Sequence, residues 1–238
     1  AKLSEEELFL EDRGDRWSFV NVLPESGFIQ TVHQGKRTSE EAEQFVNAIK
    51  PNSDGEAPLY LSDGWSGYEE ILKKCYCSWQ PAPCSGRGRP CNPIQIVDPQ
   101  LKNAQVIKRK ENGHLVSIEK RVIMGEEQDI LDIIQAGGKA KTINTSYVEN
   151  RNGNYRKDNK RLTRRTQCHS KKVDPHDAQI HGITAVYNFA TENKLHRECI
   201  NQEAKRFEIK YKKSSPAMIE NLVDRIFSIE ELLMLRSP

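Results

Sequence analysis

The chain has 238 residues, of which 36% are hydrophobic and 29% charged, and its formal net charge is +2. That length admits one large domain or two small ones and is enough to bury a sizeable core. No run of about 18 apolar residues occurs, and the opening Ala-Lys-Leu-Ser-Glu-Glu-Glu has no apolar signal core, so neither a membrane-spanning helix nor a secretion signal is expected.

The charge is unevenly placed. Residues 1–12 are acidic, whereas 151–172 hold nine Lys or Arg against one acid, Asp158. This asymmetry says more about partners than the total does. The six cysteines are Cys75, Cys77, Cys84, Cys91, Cys168 and Cys199. With no signal segment they read as reduced thiols in a cytoplasm. The chain begins with Ala1 rather than Met, which fits processing or a start part-way through a gene.

Residues 4–12 suit a short helix or a short strand. Trp17 to Leu23 reads as a strand, Pro24 to Gly27 as a hairpin turn and Phe28 to His33 as the partner. A helix follows, with Thr38 or Ser39 as cap, Glu40 and Glu41 in its first turn, and a stripe of Ala42, Phe45, Val46 and Ile49. Leu59-Tyr60-Leu61, between Pro58 and Gly64, predicts a buried strand ending near Asp63, and a helix runs from Gly67 to about Lys74.

Residues 80–94, rich in Pro, Gly, Arg and Cys, read as an irregular basic loop. Gln105–Lys110 and His114–Val122 predict two strands joined by Glu111-Asn112-Gly113. Glu126 to Ala136 predicts a helix, another starts near Asn144-Thr145-Ser146, and Asp174 to Asn193 is amphipathic. A second apolar patch runs from Met218 to Leu235. The order suits an α/β mixed sheet flanked by helices. It does not suit a Rossmann unit, since no Gly-rich phosphate loop follows the first strand.

Three constellations could carry chemistry. Asp63, at a strand end, either opens a turn or serves as a ligand at the crevice of an α/β sheet. Glu149 on a facing helix could join it in holding divalent metal for phosphodiester chemistry, or could simply be a solvated helix residue. Lys157, Lys160, Arg161, Arg164 and Arg165 recur at three- and four-residue steps, so a helix would align them on one face for phosphate neutralisation. Arg151 and Arg156 precede them, and Arg87 and Arg89 sit in the basic loop. Cys75, Cys77, Cys84 and Cys91 could hold Zn²⁺ tetrahedrally. Their spacing lacks two clean CxxC knuckles, so ordinary reduced cysteines are the expectation.

Taken in order, several stretches resemble the DDE-type insertion-sequence transposases of bacteria and archaea, whose catalytic core is the RNase H-like fold shared with retroviral integrases. They are Gly14-Asp15-Arg16-Trp17-Ser18-Phe19-Val20, Gly35-Lys36-Arg37-Thr38, Leu59-Tyr60-Leu61-Ser62-Asp63-Gly64-Trp65, Gly86-Arg87-Gly88-Arg89-Pro90, Asn144-Thr145-Ser146-Tyr147-Val148-Glu149 and Arg161-Leu162-Thr163-Arg164-Arg165-Thr166. Tyr187-Asn188-Phe189, Ser215-Pro216-Ala217-Met218 and Glu230-Glu231-Leu232-Leu233 extend the likeness. The resemblance implies an RNase H-like domain over 1–195, with an insertion at about 78–125, and a helical tail over 196–238. It implies that Asp63 and Glu149 hold a pair of Mg²⁺ or Mn²⁺ ions, and that the chain cuts and joins DNA, as a dimer or larger assembly on it.

Two departures qualify that expectation. The family's first catalytic Asp lies on a strand ahead of the two seen here, so that strand is expected upstream of residue 1; the alternative is that Glu7 to Asp12 forms a cramped first strand with Asp12 as the substitute ligand. After Glu149, Asn150-Arg151-Asn152-Gly153-Asn154 is a weak helix former and would fray the helix that aims the carboxylate. The competing expectation is therefore an inactive, truncated relic that only binds DNA through its basic helix. A zinc-organised nucleic-acid-binding module is a third.

Overall fold

The first element among the described residues is the β1–β2 hairpin, Trp17–Val22 and Ile29–Gly35. The computed structural model describes residues 16–53, 57–82, 92–137, 141–163, 166–168, 170–194, 198–200 and 210–235. Two compact units emerge. Among the described residues, one comprises 20–32 and 147–235 and the other 16–19 and 33–146. The described residues of the tail, 198–235, group with 147–194, and the hairpin contributes to both units.

The unit holding 33–146 is built on a three-stranded mixed sheet. Its strands are β3 (Leu59–Asp63), β6 (Lys102–Glu111) and β7 (His114–Met124). β3 pairs with β6 in parallel, with Leu59 opposite Lys102 and Asp63 opposite Val106. β6 and β7 are antiparallel. Their turn carries Asn112 at φ 50° and Gly113 at φ 82°, the left-handed pair that a two-residue hairpin needs.

Alternation along β3 divides its side chains between two cores. Tyr60 packs with α1 (Ser39–Ile49) and α2 (Gly67–Cys75), whose Phe45, Val46, Ile49, Ile71 and Leu72 are buried. Leu59 and Leu61 pack on the other side, with Ala104 and Val106 of β6 and with Ile130 and Ile134 of α3 (Glu127–Ala136). Each fully buried aliphatic side chain contributes about 1.5–3 kcal/mol relative to an exposed one. The Thr38 hydroxyl caps α1 by accepting from the Glu41 N–H. Segment 78–125, read as an insertion, thus supplies the strand beside β3. The basic loop is also flanked by structure that the sequence did not signal: β4 (Cys77–Gln80) and β5 (Ile94–Val97) pair antiparallel on either side of it.

In the other unit, α4 (Ser146–Asp158) and α5 (Val173–Ala185) pack with Ile29 of the hairpin. Tyr155 and Ile180 are buried there, and the Tyr155 and Thr184 hydroxyls are hydrogen-bonded. Helix α5 continues as a π-helical turn over Val186–Ala190. Gly27, at φ 70°, permits the close approach of Tyr187, because a Cβ there would lie 3.1 Å from the Tyr187 hydroxyl. The short pair β8 (Glu198–Cys199) and β9 (Tyr211–Lys212) and the short helices α6 (Pro216–Ile219) and α7 (Ile229–Met234) complete it. The apolar patch expected in this tail leaves Leu222, Ile229, Leu233 and Met234 exposed. Among the described residues no helix is long and apolar enough to cross a membrane.

Candidate functional site

Asp63 is the last residue of β3, and its carboxylate is exposed. The strand ends there for a local reason. The Trp65 N–H donates to Asp63 Oδ1 over 3.4 Å, turning the backbone away, and Gly64 passes so close to β6 that a Cβ would lie 2.9 Å from Ile107 Cγ1. The turn is anchored to the sheet by Gln105, whose Nε2 donates to the Trp65 carbonyl over 3.3 Å. Asp63 is thus both a turn residue and a carboxylate at a sheet crevice, so its two sequence readings do not compete.

An aromatic–cation cluster adjoins this turn. The Arg37 guanidinium lies 4.7 Å from the Trp17 ring centre and 6.0 Å from that of Trp65. Trp65 meets Tyr68 edge to face at 4.9 Å. Burial, with the nearby Asp63 charge second, pushes the Tyr68 hydroxyl up to about 12. Such a cluster offers a cation and flat rings beside the carboxylate. Sequence reading assigned Trp17, Arg37 and Tyr68 no role. Their signal was present, because the first two fall in stretches that carry the family resemblance.

Glu149 lies in the first turn of α4 and is exposed. Asn144 sets the start of this helix, with its Oδ1 accepting from the Ser146 N–H at 3.2 Å and the Ser146 hydroxyl at 2.6 Å. The helix runs through Gly153 to Asp158. Buried Arg151 and Tyr155, four residues apart, fix one face of it. Asp63 and Glu149 belong to different compact units. Both offer the hard oxygen donors that Mg²⁺ and Mn²⁺ accept, and the exposed Asp63 carboxylate keeps oxygen capacity beyond its one backbone contact. Among the described residues, no group of three or more His, Cys, Asp or Glu is placed to hold a metal.

The basic stretch is rearranged relative to expectation. Arg156 and Lys157 occupy the last turn of α4, but Lys160 and Arg161 follow in a turn rather than on the same helix. Asn159 ends the helix: its side chain is buried and accepts from the Arg161 N–H at 3.0 Å. The Thr163 hydroxyl then donates to the Arg156 carbonyl at 2.9 Å, capping the freed helix end. Arg151 departs further. It is 8% exposed and stacks on Tyr187 at 4.1 Å, so it is no part of an outer stripe. Arg156, Lys157, Lys160 and Arg161 are exposed. Arg87, Arg89, Arg164, Arg165 and Asp12 lie outside the described residues.

Of the four clustered thiols, Cys75 is buried in the core, and that burial raises its pKa. The Cys77 Sγ donates to the Lys74 carbonyl over 3.2 Å. Cys84 and Cys91 lie outside the described residues. Compared with known proteins, the chain matches no protein-family model, no curated protein and no solved structure.

Proposed function

We propose that this chain is the catalytic domain of a DDE-type insertion-sequence transposase with an RNase H-like fold, acting on DNA in the cytoplasm. One observation carries the reading. Asp63 stands exposed at the C-terminal end of β3, a strand paired in parallel with its neighbour, which is where open α/β sheets present ligand-binding groups. The ordered family resemblance names that same residue.

In this reading Asp63 and Glu149 are the carboxylates that hold Mg²⁺ or Mn²⁺, and the bound metal supplies charge neutralisation at the phosphodiester and activation of the attacking oxygen. The chain's own contribution at Asp63 is positional. The Trp65 N–H and the Gln105–Trp65 anchor fix the turn that holds the carboxylate, so little reorganisation accompanies ligand binding. Exposed Arg156, Lys157, Lys160 and Arg161 neutralise DNA phosphates, and counterion release supplies affinity. Assembly as a dimer or larger complex on DNA belongs to the same proposal.

The test is a nicking and strand-transfer assay on labelled duplexes that carry the inverted repeats flanking the gene, with Mg²⁺ or Mn²⁺ added. Joined products that vanish in Asp63→Asn support the enzyme. DNA binding without nicking in the wild-type chain would leave the truncated, inactive relic as the better description.

A further inference from the structure

Helices α4 and α5, the π-helical turn and the residues after it line an open cleft of about 730 Å³. Three features of its lining stand out. The Arg151 side chain is buried, and among the described residues no carboxylate or hydrogen-bond acceptor engages it. Its one specific contact is the face of Tyr187 at 4.1 Å. Tyr187 is carried on a π-helical turn, a rare geometry that recurs at functional sites. Gln179, on the same wall, has a buried Oε1 with no hydrogen-bond partner among the described residues.

The guanidinium nitrogens are not sealed from solvent, so their N–H groups meet water in the cleft that the oxygens of a ligand could replace. Stacking on Tyr187 orients the group and leaves its edge donors free. A planar fork of N–H donors, pre-set by stacking, matches the oxygens of a phosphate. Lys157 and Lys194 also line the cleft, so with Arg151 three cations face two carboxylates, Asp158 and Glu192.

We propose that this cleft is a phosphate-binding site that receives a backbone phosphodiester of the DNA strand, with the Arg151 guanidinium as its anchor. The inference rests on the nucleic-acid reading above and adds to it a second point of contact, which adjoins the exposed basic stretch at Lys157.

The experiment measures fluorescence anisotropy of a labelled 20-nucleotide duplex, and of its single strand, against the full chain over a range of salt. Arg151→Gln removes the anchor. Gly182→Glu is the second variant: Gly182 lines the cleft, nothing stands within 4 Å of the Cβ it would gain, and the new side chain fills the cleft with negative charge. Each variant is expected to keep its unfolding temperature within a few degrees and to weaken binding about five- to tenfold. Arg151→Gln should also reduce the salt slope by about one phosphate contact. Arg151→Lys should recover only part of the loss, since it restores charge but not the fork.

Unchanged affinity and salt slope in both folded variants would overturn the site, as would an Arg151→Gln chain that melts early but binds normally when folded. Stabilisation of the wild-type chain by inorganic phosphate or AMP that is lost in Arg151→Gln, with DNA affinity unaltered, would overturn the strand as the source. A wild-type chain that binds no DNA at all would fail at the underlying reading instead.

Discussion

The Asn188 side chain pairs with the backbone of Ile29 as a neighbouring strand would. Its Oδ1 accepts from the Ile29 N–H at 3.0 Å and its Nδ2 donates to the Ile29 carbonyl at 2.9 Å. Asn188 is buried, so water cannot replace it. Within its unit this amide ties the turn that carries Tyr187 to the hairpin.

Asn188→Leu is therefore expected to strand two buried backbone groups at about 1–3 kcal/mol each. In a chain of this size that lowers the unfolding temperature by about 4–24 °C, from about 2–4 °C per kcal/mol. Thermal unfolding followed by circular dichroism reads it. A shift under 2 °C would mean that the pairing contributes little.

Tyr68 ties Asp63 to an observable that does not depend on catalysis. Its folded value of about 12 is raised above the ordinary 10.0 by burial first and by the Asp63 charge second. A hydroxyl raised in the folded state stabilises the fold fully below pH 10 and loses that contribution as pH climbs from 10 through about 12. The protein should thus lose stability above pH 10. Phenolate absorbance should show a late-titrating tyrosine whose midpoint falls in Asp63→Asn and disappears in Tyr68→Phe. A midpoint that ignores Asp63→Asn would remove the electrostatic link. Tyr60, raised by burial and then by the Tyr76 hydroxyl, titrates later still and acts in the same sense.

The exposed basic turn makes a graded prediction. Replacing Arg156, Lys157, Lys160 and Arg161 with Gln should weaken duplex binding at every sequence alike. Each lost phosphate contact should reduce the slope of log affinity against log salt by about 0.9. A loss confined to one sequence would point to base reading rather than phosphate contact. An unchanged slope would exclude the turn from the interface.

How far the sequence could be read depended on whether its signals were local. The apolar run at Leu59–Leu61 between Pro58 and Gly64 located β3, and the spacing of Ala42, Phe45, Val46 and Ile49 located α1, because each buries one regular face. Asn112-Gly113 located the β6–β7 turn through its backbone demands alone. The parallel pairing of β3 with β6 joins segments some 40 residues apart in register, which no local pattern encodes. β4 and β5 were hidden because Trp79, Ile94 and Ile96 are exposed, so burial leaves no alternation to read.

The basic segment misled for the opposite reason. Its three- and four-residue spacing is helical, but Asn159 and Thr163 bond to the backbone in ways that end a helix. Arg151 read as a surface charge because its type is normally exposed. Tyr187, on α5's π-helical extension, stacks over that buried position. The carboxylates were legible as residues and as element ends, while the shared site they would form belongs to the proposal.

The most direct measurement of the central claim is metal-dependent joining of a labelled transposon-end duplex to a target plasmid by the full chain, compared with Asp63→Asn. The account predicts nicked and joined products with Mg²⁺ or Mn²⁺, and their loss by at least about 100-fold in Asp63→Asn at unchanged DNA affinity and unfolding temperature. Products formed equally well by Asp63→Asn would contradict it.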